Sequence, residues 1–334
     1  MLNPKLKLNS KLFNEDVEKI SIREGFRKGL LQAGEEDKNV VAVCADLRDS
    51  VQMDLFVEKF EKENRFIEVG VAEQNLVTVA SGLAKMGKIP FCGSYAIFSP
   101  GRNWEQIRTT IAYNDVPVKI IGSHTGVTVG PDGGSHQMLE DIALMRVMPN
   151  MEVFSPCDAI EAKKITLAIG KTKKPSYMRL VRDKTVVITT EETNFEIGKS
   201  EIFWLPEVGI AQVGIIATGE MLYHAILAAK ELETENVKVK VMNLASVKPI
   251  DQDTILKLVK ETKCLVTVED HQIAGGIGSA VSEIIAQIYP VPIEFVGVKD
   301  RFGQSGTSKE LLKEYSLDKD AIKNAVKKVL ARKI

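Results

Sequence analysis

VVAVCADLRDSVQMDLFVEKFEKENRFIEVGVAEQNLVTVASGLAKMG, residues 40–87, decides the fold class. VVAVCAD (40–46) is a short apolar, valine-rich run and reads as a buried strand. A polar helix near Leu55–Lys62 follows, then FIEVG (66–70) as a second strand. Glu73–Met86 reads as another helix, stopped by Gly87. Strand, helix, strand, helix at this spacing predicts parallel strands covered by helices.

The same rhythm extends in both directions. Upstream, Asp16–Leu31 reads as a helix with Ile20, Phe26 and Leu30 on one face and Gly34 as its stop. Downstream, IPFCG (89–93), VKIIGS (118–123), MEVFSP (151–156) and SYMRLV (176–181) read as strands with helical patterns between most of them. The rhythm weakens over 189–209 and then resumes. Strands are expected at AQVGIIATG (211–219), VKVKVMNL (237–244), CLVTVED (264–270) and IEFVGV (293–298). Helices are expected up to about Leu232, over Asp251–Glu261 and over Ser279–Ile288, with two more closing the chain. The expected fold class is α/β, with two domains, each a mostly parallel sheet flanked by helices. The first spans 1–190, a linker spans 191–205, and the second spans 206–334.

Composition excludes several classes of function. The 334 residues carry 44 basic and 45 acidic side chains, a net charge of -1, so nothing draws the chain as a whole to nucleic acid or an anionic membrane. The apolar fraction of 44% is enough for two cores, yet no apolar run approaches the roughly 18 residues of a membrane span. MLNPKLKLNSKLF at the start lacks the apolar centre of a signal peptide. Cys44, Cys92, Cys157 and Cys264 form no CxxC pair. That spacing suits neither a zinc site nor a disulfide framework, and fits a reducing, cytoplasmic setting.

Chemistry-bearing residues gather where strands of the first domain should end, which is where open α/β sheets take their ligands. RFIEVGVAEQNL (65–76) places Glu73 in a helix's first turn, where a carboxylate also simply complements the helix dipole. YAIFSPGRNWEQIR (95–108) offers Tyr95 and Phe98, which could line a flat ring or fill a core. Arg102 beside them could meet an anion or a carboxylate. GSHTGVTVGPDGGSHQ (122–137) holds five glycines, an aspartate, and two of the chain's four histidines, His124 and His136. Histidine serves there as acid, base or hydrogen-bond partner. Metal ligation is the weaker reading, since no HxH or HxxxH spacing and no nearby thiolate accompanies them. GGIGSA (275–280) carries only part of a nucleotide-binding fingerprint and reads better as a turn feeding a helix.

GVAEQN, the SHTGVTVGPDGGSHQ loop and ADLRDS (45–50) together resemble the transketolase family, and the similarity runs from about residue 17 to 330. It corresponds to the pyrimidine-binding and C-terminal domains. The family holds the diphosphate of thiamine diphosphate through a metal at a GDG…N motif, and no GDG occurs here. The resemblance therefore implies a split enzyme. A separate N-terminal subunit would carry the GDG…N motif and the Mg2+ or Ca2+ ligands, in an α2β2 assembly in which this chain also self-associates.

By resemblance, Glu73 hydrogen-bonds the cofactor's aminopyrimidine and so favours the tautomer that accepts the thiazolium proton. Tyr95 and Phe98 match aromatics around that ring, and Asp46 an aspartate near the thiazolium. His124, Asp132 and His136 match residues that contact substrate; Arg23, Ser50 and Arg182 match groups that bind a sugar phosphate. The activity implied is transfer of a two-carbon ketol unit from a ketose phosphate to an aldose phosphate. Deoxyxylulose phosphate synthase has a similar AEQ segment and D…H loop, but its single chain carries both domains and His124 fits transketolase better. The β-subunit of a 2-oxoacid dehydrogenase has the same two-domain plan and need for a partner chain, with a less similar active-site loop. A nicotinamide dehydrogenase would need a full dinucleotide fingerprint that is absent.

Overall fold

Eight strands occupy the first half of the chain: β1 (Lys19–Ser21), β2 (Val40–Cys44), β3 (Phe66–Glu68), β4 (Ile89–Tyr95), β5 (Lys119–Ser123), β6 (Glu152–Phe154), β7 (Ser176–Leu180) and β8 (Lys184–Val186). The computed structural model describes residues 1–333. Every residue of β2, β5 and β7 is buried, as central parallel strands covered on both faces require. These strands join a seven-stranded sheet in the order β12-β6-β7-β5-β4-β2-β3, where β12 is Ser246–Lys248. All neighbours in it are parallel except β12, which pairs antiparallel with β6.

The second half builds its own sheet from β9 (Glu201–Trp204), β10 (Val213–Ala217), β11 (Val239–Asn243), β13 (Leu265–Gln272) and β14 (Ile293–Val298). Its order is β14-β13-β10-β11-β9, parallel except for β9. The chain thus adopts the expected architecture of two α/β domains with mostly parallel sheets flanked by helices. Three segments cross the division drawn at 191–205. Strand β9 lies inside the segment expected as a linker. Strand β12, from the second half, extends the first sheet. The N-terminus crosses as well: Leu2 bridges to Trp204, and Leu12 is buried in the second domain's core.

One helix begins later than its periodicity suggests. The pattern places a helix from Asp16, but the helix runs Ile22–Glu36 because Lys19–Ser21 pairs antiparallel with Lys184–Val186. Backbone groups committed to that ladder cannot also enter a helix. The consequence is functional, since Arg23 is now pinned in the first turn, next to Arg182.

The Ile22–Glu36 helix packs tightly on the Ala159–Gly170 helix because glycines face it. A Cβ on Gly25 would lie 1.8 Å from the Ala159 carbonyl oxygen, and one on Gly29 would lie 2.8 Å from Thr166 Cβ. Beneath this pair sit Phe26, Phe91 and Phe154, all fully buried, each contributing roughly 1.5–3 kcal/mol of transfer free energy. Gly25→Ala should therefore lower the melting temperature, at a cost of about 1–3 kcal/mol or more. Gly82→Ala is the contrasting variant. Gly82 is helical and exposed, with nothing within 4 Å of a built Cβ, so alanine should stabilise by up to about 1 kcal/mol. Thermal melts of the two variants should move in opposite directions; equal shifts would refute the close-approach account.

Candidate active site

Parallel pairing makes strands β3, β2, β4, β5 and β7 end at one edge of the first sheet, and the residues beyond those ends form the site. Asp46 follows β2 with a φ of 58°, and His124 follows β5 with a φ of 59°. Both are left-handed backbone positions, uncommon for residues with a side chain and frequent at functional sites. Glu73 follows β3, Tyr95 ends β4, and Arg182 follows β7.

Glu73 heads the Glu73–Lys85 helix and is 3% exposed. The helix N-terminus favours its negative charge. Its carboxylate lies 3.3 Å from Arg102 Nη1, and its carbonyl accepts from Asn103 Nδ2 at 2.7 Å. Arg102 also covers the Phe98 ring, 5.3 Å from the centroid. Beside this buried carboxylate, Val71 is 72% exposed, an apolar side chain left open at the rim.

Three more rings continue from Phe98. Tyr95 lies nearly parallel to Phe98, with centroids 6.1 Å apart, and stacks on His124 at 3.7 Å. His136 stands edge-on to both aromatics, 6.1 Å from Tyr95 and 5.7 Å from Phe98. His124 is buried, and its Nδ1 is 2.8 Å from Ser123 Oγ. Burial, and then the charges of Arg23, Arg182 and His136, push its pKa down to about 3. The imidazole is therefore neutral near physiological pH, a hydrogen-bond donor and acceptor rather than a cation.

The far end of the site is cationic. Arg23 donates through Nη1 to the Ser50 carbonyl at 2.7 Å and through Nη2 to the Arg182 carbonyl at 2.9 Å. Arg182 donates to the Val129 carbonyl at 3.2 Å. The Arg23 pKa is lowered, by burial first and by the Arg182 charge second. Two neighbouring guanidinium groups that repel each other in this way suit a shared anion.

The structure thus gathers Glu73, Tyr95, Phe98, His124, His136, Arg23 and Arg182 into one continuous cluster. Ser50 joins it through its backbone carbonyl. Asp132 lies in the same loop as His136 but is exposed, and no hydrogen bond involves its carboxylate among the described residues. Asp46 is exposed, and its amide donates to Glu68 Oε1 at 2.8 Å. Glu68 escaped the sequence reading. It also accepts from the Gly70 amide at 2.8 Å, tying the ends of β2 and β3 together. Its position on an edge strand gave no sequence signal. The Arg102–Glu73 contact was visible only as an arginine able to meet a carboxylate.

Comparison with known proteins bears on the family and the domain plan. Residues 18–186 match the family described as transketolase, pyrimidine binding domain, and residues 208–322 match transketolase, C-terminal domain. A putative transketolase C-terminal section from Methanocaldococcus jannaschii is 42% identical over 90% of this chain and 93% of its own length. The 6-deoxy-6-sulfo-D-fructose transketolase subunit of a Clostridium species is 36% identical over 96% of this chain and 98% of its own. Among solved structures, a split-gene transketolase described as an inactive beta4 tetramer superposes with a TM-score of 0.87 at 39% identity, covering 94% of this chain and 100% of that one. The chain therefore belongs to the transketolase family, as a transketolase subunit made of its pyrimidine-binding and C-terminal domains.

Proposed function

We propose that this chain supplies the pyrimidine side and the sugar-phosphate side of a thiamine-diphosphate site, and that a partner N-terminal subunit supplies the diphosphate side. The observation that carries the reading is the buried Glu73 carboxylate, paired with Arg102, which covers the Phe98 ring lying nearly parallel to Tyr95. A carboxylate at one edge and flat aromatic faces beside it fit an aminopyrimidine ring. Glu73 would hold that ring by a hydrogen bond, with Phe98 and Tyr95 against it and Asp46 near the thiazolium. When bound, thiamine diphosphate supplies the electron sink on which a two-carbon ketol unit is carried. The metal, magnesium or calcium, would be held by a GDG…N motif of the partner in an α2β2 assembly.

The remaining residues act on the sugars. Arg23 and Arg182 would grip the anionic end of a ketose or aldose phosphate, with Ser50 beside them. The relative from Clostridium is named for a sulfonated sugar, and a sulfonate, like a phosphate, presents anionic oxygens to which a guanidinium pair can donate. His124, being neutral, would hydrogen-bond substrate hydroxyls and pass a proton without carrying a standing charge. His136 completes the same wall, and Asp132 would read hydroxyl configuration from the loop's outer side. The setting is cytoplasmic carbohydrate metabolism; among the described residues no helix is long and apolar enough to cross a membrane.

The direct test mixes the purified chain with its candidate partner, thiamine diphosphate and magnesium, and follows two-carbon transfer from xylulose 5-phosphate to ribose 5-phosphate. Activity is expected in the mixture and in neither chain alone. Glu73→Gln and Glu73→Ala should each lower kcat at least about 100-fold without changing the melting temperature appreciably. Full activity in those variants would remove the central claim. Replacing Arg23 or Arg182 by Ala should raise KM for phosphorylated substrates about tenfold or more, with a smaller effect on kcat, since a charge-assisted hydrogen bond is worth roughly 1.5–3 kcal/mol.

Protonation of His124 can be read directly. Its folded pKa of about 3 lies below the ordinary 6.5, so the unfolded chain binds the proton first as pH falls. The stability this group affects is retained above pH 6.5 and declines between about 6.5 and 3. The His124 ring resonances should stay constant from pH 8 to about 5, and a midpoint near the ordinary histidine value would contradict a buried neutral ring.

A further inference from the structure

The second domain has a ligand crevice of its own, at the place where parallel sheets form one. In that sheet β10 lies between β11 and β13, so the strand order reverses at the β10 carboxyl end. Two acids stand there. Glu220 follows β10 immediately ahead of the Met221–Thr234 helix, and Asp270 lies near the end of β13. The free space between Ser155, Arg179, Gly219, Glu220 and Asp270 is only about 10 Å³, room for one water at most.

The crevice is filled by the glycine-rich loop of the first domain. The Val127 amide donates to both oxygens of the Asp270 carboxylate, at 3.1 and 3.0 Å. Thr128 Oγ1 donates to Glu220 Oε1 at 2.7 Å. Gly126 makes the approach feasible: its φ is 78°, and a Cβ there would sit 1.8 Å from Asp270 Oδ2. Ser308, from the far end of the chain, donates to the Thr128 carbonyl at 3.2 Å. The gripped residues lie close in sequence to the active site. His124 is two residues before Gly126, and Val129 is the residue whose carbonyl receives Arg182.

We infer that Asp270 and Glu220 are positioning residues for the proposed transfer reaction: the second domain holds Val127–Thr128 as its ligand and thereby fixes His124 and the acceptor of Arg182. This rests on the transketolase reading above. Both acids line the same small crevice and hold adjacent loop residues, so their carboxyl groups lie close together. Burial, followed by the Asp270 charge, holds the Glu220 pKa well above the usual carboxylate range. Two carboxylates buried this close together ionise only against mutual repulsion, so the grip is expected to keep one proton between them. The other groups facing the pair are Arg179 from β7, whose Nη2 donates to the Asp270 carbonyl at 3.0 Å, and Asp141, 3.0 Å from Arg179 Nε. Glu269 and His271 flank Asp270 on β13 itself. Loss of the shared proton at high pH should release the loop and lower turnover.

The test uses the two-chain complex with thiamine diphosphate and magnesium, and reads both kinetics and amide hydrogen exchange over residues 124–130. Asp270→Ala should lower kcat at least about tenfold and speed exchange over 124–130 by at least about tenfold, because a small displacement of a reacting group is costly. Asp270→Asn keeps an acceptor in place and should recover most of both. Glu220→Gln cannot ionise and should move the alkaline midpoint of the kcat profile upward by about one pH unit or more. Unchanged exchange in Asp270→Ala, or an alkaline limb identical in Glu220→Gln, would overturn the inference. If Asp270→Ala melts too low to assay, Glu220→Gln decides by its pH profile. A parent complex with no two-carbon transfer would defeat the transketolase reading instead, and the exchange data would still judge the grip.

Discussion

Parallel strand pairing is the constraint on which everything else in this molecule depends. Neighbouring parallel strands run the same way, so the segments that leave β3, β2, β4, β5 and β7 all emerge at one edge. Residues as far apart in the chain as Arg23, Glu73, His124 and Arg182 become neighbours there without any long loop having to reach. The central strands β2, β5 and β7 are fully buried, while the residues of the site stand at or beyond the strand ends. A packed core and a polar site are compatible because they occupy different parts of the same strands.

The edge carries a gradient of chemistry. At one end a buried carboxylate meets a single, largely exposed arginine. In the middle are four closely packed rings, two of them imidazoles. At the other end two guanidinium groups lie close enough that the Arg182 charge disfavours that of Arg23. A neutral His124 follows from this order, since burial and two nearby cations both oppose protonation. On the proposed reading, this order would take an uncharged ring at one end and an anion at the other, with hydroxyl-sized polar partners between.

The second domain contributes by support. Its sheet has a switch-point crevice, and that crevice is occupied by Val127 and Thr128 of the first domain. The N-terminal segment crosses the same way, whereas strand β12 crosses back into the first sheet, so each domain holds part of the other. The glycine-rich loop is fixed at Val127, Thr128 and Gln137 by groups lying 143, 92 and 167 residues further along the chain. Buried acids such as Asp270 and Asp141 are tolerated because Arg179 and backbone amides face them.

What the sequence by itself determined was whatever is written locally. Continuous apolar runs announced the central strands, glycine-stopped helices announced their covers, and GVAEQN with the loop at 122–137 marked the segments that reach the sheet edge. Tertiary structure alone decided how those segments meet. Helix periodicity ran on past the β1–β8 ladder, whose partners lie far apart in the chain, and so missed the turn that sets Arg23 beside Arg182. Glu68, the Arg102–Glu73 contact and the Glu220–Asp270 grip were equally invisible, for a hydrogen bond between distant residues leaves no periodicity in either segment. Asp132 shows the converse, a loop residue conspicuous in sequence whose carboxylate the fold leaves facing outward. Local propensity and pattern depend on neighbours in the chain, whereas charge pairing and loop anchoring depend on neighbours in space, and only folding makes the second set.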